Sequence, residues 1–273
     1  MTSGDGTSVL LAELSWPEVA AMQQRGALVV IPTGSTEQHG WHLPLETDSR
    51  LAGEVAYAAA LRICKETPIV LAPTLTIGVS GEHLDFPGTL ALSATTFMAV
   101  AEEVALNLVQ HGFRRLAFLN GHGGNTEPLR LVAKAVRTKH QVLVAVANYW
   151  ALARDALVGI AHNPELNISH GGELETALML HLRPERVDMR RAREPEPGRG
   201  NPYLTRALQR EPMAAYGIRC TDLTRSGSTG DPSHATAELG ARFFGAAITA
   251  AAEFFRYVHT WSLPEQEPLL PPE

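Results

Sequence analysis

Four short, nearly continuous apolar runs dominate this chain, at residues 27–32 (Ala-Leu-Val-Val-Ile-Pro), 67–72, 115–119 and 141–148. A strand with one face in water alternates apolar and polar residues, whereas runs without alternation suit strands covered on both faces of a parallel sheet. The stretches between them have helical spacing: residues 49–66 (Leu51, Val55, Ala58, Leu61, Ile63), 93–112 and 125–139. The resulting β-α-β order predicts an α/β fold with a mainly parallel sheet. Ser15-Trp16-Pro17-Glu18 reads as a capped helix start, residues 218–223 as an edge strand, and residues 236–259 as a final amphipathic helix.

The polar residues cluster after the strands. In open α/β sheets, sites form outside the carboxyl ends of the strands. Behind the first run comes Gly34-Ser-Thr-Glu37-Gln-His39-Gly-Trp41-His42-Leu-Pro-Leu-Glu-Thr-Asp48. On an extended segment a Glu-x-His pair projects to one side, so Glu37 and His39 reach neighbouring points. Asp48 offers two oxygens, enough to bridge cations held roughly 3.5–4 Å apart in a two-metal hydrolase. Mixed imidazole and carboxylate ligation suits zinc, manganese or iron. The plainer alternative is a polar loop whose histidines only form hydrogen bonds.

The third run ends in Asn120-Gly-His122-Gly123-Gly124-Asn125, a turn that exposes one imidazole and opens a helix with Asn125 as its cap. Gly123 and Gly124 allow the backbone close to a ligand. A phosphate cradle and a purely structural turn are the competitors; the Lys-Ser/Thr of a P-loop and the full G-x-G-x-x-G pattern are missing. The loop at 77–90 is long for a compact domain, which marks it as functional or disordered. Its Glu82-His83 pair reads either as a hydrogen-bonded loop contact or as a direct metal ligand. Tyr149 and Trp150 either wall a pocket or pack ordinarily. In Ser169-His170-Gly-Gly-Glu173-Leu-Glu175-Thr176, Glu175 sits early in a helix and can point back to the strand ends, while Glu173 reads as an acid that offsets the helix dipole.

Composition bounds the remaining options. The chain has 273 residues, 45% hydrophobic and 19% charged, with a formal net charge of −6. That balance supplies no electrostatic reason to expect nucleic acid or an anionic membrane as partner. No apolar run approaches the ~20 residues of a membrane span, and residues 1–6 lack the features of a signal peptide, so a cytoplasmic location is expected. Cys64 and Cys220 are expected to be reduced and buried. One domain over residues 1–273 is expected, with its core at 15–258, a charged Pro- and Gly-rich excursion at 184–210 that covers the pocket or forms a subunit contact, and a Pro-rich tail at 263–273.

The ordered set Gly34-Ser-Thr-Glu-Gln-His-Gly with Thr47-Asp48, then Asn120-Gly-His-Gly-Gly-Asn125, His170-Gly-Gly-x-x-Glu175-Thr176 and Gly230-Asp231-Pro232 resembles the creatininase family of metal-dependent amidohydrolases. The resemblance covers about residues 15–258. It implies a three-layer α/β/α fold, a binuclear zinc or manganese centre (iron also fits), and a homo-oligomer, commonly a hexamer. By position, Glu37 and His122 match ligands of one ion and His39 a ligand of the other, with Asp48 as the bridge. Where creatininase itself has a ligand glutamate two residues beyond the histidine, this chain has Gly124. The resemblance points to Glu175 as the replacement, with a catalytic part as well, and to His170 as the proton-shuttling histidine. Trp41 stands where the family often has proline.

The implied reaction is hydrolysis of a C–N amide bond in a small cyclic amide, a formamide or a similar molecule, by a hydroxide bridging two divalent metals, with His170 protonating the leaving nitrogen. Trp41, His83, Gly123, Gly124 and Trp150 are the candidate substrate contacts. Two alternatives stand beside it. One is a metallopeptidase of the branch that trims the mycofactocin precursor peptide, releasing a C-terminal dipeptide. The other is a non-catalytic binding or assembly module. A serine hydrolase is disfavoured because no G-x-S-x-G elbow is present.

Overall fold

The structure is a computed structural model that describes residues 8–196, 203, 207–208 and 217–261. Four parallel strands form its sheet: β1 (Leu28–Thr33), β2 (Ile69–Leu71), β3 (Arg115–Asn120) and β4 (Leu143–Asn148), in the order β2-β1-β3-β4. The helices α1 (Trp16–Gln24), α2 (Thr47–Ile63), α3 (Ala94–Gln110), α4 (Thr126–His140), α8 (Glu173–Leu182) and α9 (Ala237–Thr260) make the outer layers; three short helices, α5 (Tyr149–Leu152), α6 (Arg154–Ile160) and α7 (Pro164–Asn167), follow β4.

The apolar runs split between two cores because successive side chains on a strand point to opposite faces. Leu28 and Val30 join α2, α8 and α9 on one side, while Val29 and Ile31 join α1, α3 and α4 on the other. Helix α9 lies across α2 and α8. Its approach to α8 requires Gly240, where a Cβ would come within 1.9 Å of the Ala177 carbonyl oxygen. Phe243 and Phe255 fill this layer at 0% exposure; truncating either to alanine should cost about 3–5 kcal/mol.

Neighbouring strands β1 and β3 are reached by crossovers that run through different layers, α2 after β1 and α3 before β3. The chain therefore diverges at their carboxyl ends and leaves a crevice there, the usual place for a ligand in such sheets. A polar row lies directly beneath. Thr33, Asn120 and Asn148 are register partners at the ends of β1, β3 and β4, and Asn120 accepts from Thr33 Oγ1 at 3.0 Å and donates to Asn148 Oδ1 at 2.8 Å.

Three local expectations change. Residues 218–223 form a 3-10 turn at Cys220–Asp222 in place of an edge strand, because Asp222 accepts from the Arg219 backbone N–H and Arg219 and Thr221 both bind Asp85. Strand β4 starts at Leu143, two residues later than the apolar run, since Gln141 is left-handed (φ 51°) as it ends α4. Asn125 does not cap α4 with its side chain, which is used elsewhere. The Ser15–Glu18 capping box is present. In the excursion, residues 184–196 are described as two 3-10 turns and a connecting segment. Residues 197–202, 204–206 and 209–216, and the Pro-rich tail, lie outside the described residues. Among the described residues no helix is long and apolar enough to cross a membrane.

Candidate metal centre

Five side chains converge at the crevice. Glu37 and His39 arrive on the loop after β1, Asp48 in the first turn of α2, His122 after β3, and Glu175 in the first turn of α8. Glu37 and His39 are 0% exposed, and Asp48, His122 and Glu175 no more than 6%. Two ligand sets emerge, Glu37-Asp48-His122 and His39-Asp48-Glu175, each with its atoms within 4.8 Å of one another, and Asp48 belongs to both. A third set joins Glu37, His39 and His170.

Hydrogen bonds on the far side of each imidazole decide which nitrogen faces the carboxylates. His122 Nε2 lies 2.9 Å from the Val79 carbonyl oxygen. A carbonyl only accepts, so Nε2 carries hydrogen and Nδ1 turns to Asp48 Oδ2 at 2.9 Å and Glu37 Oε2 at 3.2 Å. His39 Nδ1 donates to the Glu37 carbonyl oxygen at 3.1 Å, which aims Nε2 at Asp48 Oδ1 (2.9 Å) and Glu175 Oε2 (3.8 Å). Outer hydrogen bonds of this kind fix the tautomer of metal-binding histidines. Glu37 Oε1, Glu37 Oε2 and Asp48 Oδ2 are buried, and among the described residues only imidazole nitrogens approach them. Buried carboxylates are costly unless a cation meets them. The donor set therefore fits a divalent ion.

Electrostatics agree. Burial opposes charge on His39, yet Asp48 and Glu175 outweigh it and hold the imidazolium up to about 10. His122 is likewise raised well above the usual range, burial being outweighed by Glu37 and Asp48. Burial raises the Glu175 carboxyl to about 7, with His39 acting against the rise. His170 behaves oppositely: burial, and then the charge on neighbouring His39, push it well below the usual value, so it is a neutral imidazole. Gln38, buried beneath, shares its amide nitrogen among His83 Nδ1 (2.8 Å), His170 Nε2 (3.1 Å) and the Gly227 carbonyl oxygen (3.0 Å). The opposite nitrogens of the two rings, His83 Nε2 and His170 Nδ1, face Glu37 Oε1 at 3.4 and 3.5 Å.

A cleft of about 150 Å³ opens beside this array, lined by Glu82, His83, His170, Cys220, Leu223 and Thr229 among others. Trp41 is half exposed, with the Arg193 guanidinium 5.1 Å above its ring, and the Asp188 N–H bonds the His42 carbonyl, so residues 188–193 lie along the 41–42 loop. Gly123 and Gly124 border His122, and Gly124 packs against Val79. Trp150 does not wall the cleft; it is 2% exposed, edge-on to Tyr149, and donates its indole N–H to the Leu208 carbonyl.

Glu173 corrects the reading of it as a dipole-compensating acid. It is 0% exposed and accepts from the His162 and Asn167 side chains and the His162 backbone. Two residues along a helix turn the direction by roughly 200°, which sends Glu175 into the crevice and Glu173 away from it. Sequence reasoning also missed Gln38, the Val79 carbonyl and the Asn120 and Asn125 amides. Gln38 sits inside the Glu-Gln-His motif and was within reach; a backbone carbonyl leaves no compositional trace.

The family model described as creatinine amidohydrolase matches residues 12–255. The chain belongs to the creatininase family. A mycofactocin precursor peptide peptidase of Mycobacterium tuberculosis is 32% identical, with 96% of each chain covered. A creatinine amidohydrolase of Pseudomonas putida is 33% identical, over 72% of this chain and 80% of the relative. The fold is similar to that of a solved creatininase mutant of Zn-Zn type, with a TM-score of 0.77, 27% identity, and 92% and 98% of the two chains covered. This creatininase-family chain is thus an amidohydrolase, a hydrolase of carbon–nitrogen bonds, with the α/β fold of that family.

Proposed function

We propose that the crevice holds a pair of divalent ions, one by Glu37 and His122 and the other by His39 and Glu175, with Asp48 between them, and hydrolyses an amide bond. The observation that carries this reading is the convergence of two buried imidazole nitrogens on one shared carboxylate, His122 Nδ1 on Asp48 Oδ2 and His39 Nε2 on Asp48 Oδ1, each ring held by a carbonyl behind it. Bound ions of this kind supply Lewis acidity for the carbonyl and lower the pKa of a water to about 7. Asp48 keeps the two sites adjacent, and the buried surroundings of Glu37 and His39 exclude competing water. His170 faces the crevice with Nδ1 and is neutral at rest, so it would take a proton from the attacking water and, as the imidazolium, deliver it to the leaving nitrogen. His83 and the cleft beside it receive the substrate, Trp41 stands at the mouth, and the assembly is a homo-oligomer.

A second reading, release of a C-terminal dipeptide from a precursor peptide, is favoured by the end-to-end similarity to the mycobacterial peptidase. Elemental analysis of the purified protein, joined to hydrolysis assays on creatinine, a formamidopyrimidine and a Val-Tyr-ended peptide before and after chelation, tests both. Bound divalent metal with chelator-sensitive cleavage of one substrate supports the mechanism and selects the substrate. Absence of metal after reconstitution would overturn it in favour of a binding module.

A further inference from the structure

Asn125 opens α4 but leaves the helix's first N–H groups without its side chain, although Asn there ordinarily caps through its amide oxygen. Its amide, 0% exposed, points instead into the junction of three loops. Nδ2 donates to the Gly34 carbonyl at 3.0 Å and to Asn120 Oδ1 at 3.3 Å, and Oδ1 accepts from the Val79 N–H at 2.9 Å. Gly34 leads into the segment that carries Glu37 and His39. Val79 is the residue whose carbonyl holds His122 Nε2.

We propose that Asn125 is a positioning residue for the metal centre: one amide fastens the Glu37 loop to residue 79 and thereby sets which nitrogen of His122 meets the ions. The inference rests on the metal-binding reading above. The packing around it leaves no slack. A Cβ on Gly78 would lie 2.6 Å from Asn125 Oδ1 and 2.7 Å from the Gly34 carbonyl oxygen. The amide is also specific in sense, because it offers hydrogens to two acceptors and an oxygen to one donor. Asn125→Asp keeps the acceptor for Val79 but sets a carboxylate against Gly34 O and Asn120 Oδ1, both acceptors. Asn125→Ala removes all three contacts.

The test measures zinc dissociation constants by competition with a chromophoric chelator, for wild type, Asn125→Ala and Asn125→Asp, with melting temperature alongside. Outer-sphere partners of metal ligands are worth roughly 10–100-fold in affinity. That loss is expected in both variants, with Asn125→Asp no better than Asn125→Ala. A lowered melting temperature with unchanged zinc affinity would mean a purely structural role and overturn the proposal. Should neither variant fold, long-range ¹H–¹⁵N spectra of zinc-loaded wild type decide: zinc on Nδ1 of His122 with a protected Nε2–H is expected, and zinc on Nε2 overturns the proposal. If wild type binds no zinc, the metal-binding reading itself fails, and that result is distinct from both.

Discussion

The Val79 carbonyl oxygen lies 2.9 Å from His122 Nε2, and this one bond turns Nδ1 of His122 toward Asp48 and Glu37. It exists because residue 124 is glycine. A Cβ there would sit 2.1 Å from Val79 O and 2.7 Å from His122 Nε2. In this chain, position 124 makes room for the bond that orients His122, the proposed ligand.

Gly124→Ala should therefore weaken zinc binding by roughly 10–100-fold. Gly123→Ala serves as the control, since a Cβ at 123 meets nothing within 4 Å. Chelator competition on the two variants reads the difference, and equal affinities would remove the role given to Val79.

Asp48 stands between the two ligand sets, with Oδ1 toward His39 and Oδ2 toward His122. Asp48→Ala is expected to abolish both ions together, whereas Glu175→Gln should reduce metal content only in part. Elemental analysis of the dialysed variants distinguishes them.

His170→Ala should retain full metal content and lose roughly 10²–10⁴-fold in kcat, the usual weight of a general acid or base. A parallel fall in metal would make His170 a ligand, as its place in the Glu37-His39-His170 set permits.

Chelated protein should lose stability as pH rises from 7 to 10. His39 is held charged up to about 10 in the fold, burial notwithstanding, by Asp48 and Glu175. A base whose folded pKa lies above its unfolded value contributes stability that is complete below the unfolded pKa, near 6.5, and gone above the folded one. His122 shifts in the same direction. Zinc replaces these protons, so its stabilisation should grow across the same range. Melting curves with and without zinc at pH 7, 8.5 and 10 test this, and a flat chelated profile would contradict it.

Glu173→Ala strips the acceptor from the His162 and Asn167 groups that it binds. Leaving buried donors such as the Asn167 amide without their acceptor costs about 1–3 kcal/mol. A denaturant midpoint unchanged from wild type would show that this cluster carries no stability.

Element type was readable before any coordinates because burial imposes a period: unbroken apolar runs became β1, β2, β3 and β4, and helical spacing became α2, α3, α4 and α9. The ligand-type residues were legible too, since Glu-x-His, an imidazole in a glycine turn and an acid opening a helix are local patterns. Where competition was local but decided by tertiary contacts, the reading failed. Asn125 had a cap to make and Glu173 a dipole to offset, and both side chains found buried partners instead. Residues 218–223 had an apolar start but a stronger anchor in Asp85.

Sequence by itself determined the order of strands and helices, the chemistry available at the strand ends and the family. Only the tertiary structure decided that Asp48 lies between two imidazoles, that Glu175 faces the crevice while Glu173 faces away, and that Val79 O and Glu37 O choose the nitrogens presented. The physical reason is reach. Periodicity records which face of one element is buried, whereas a site is made by crossovers that bring separate strand ends within a few ångströms, and by carbonyls that every residue possesses alike.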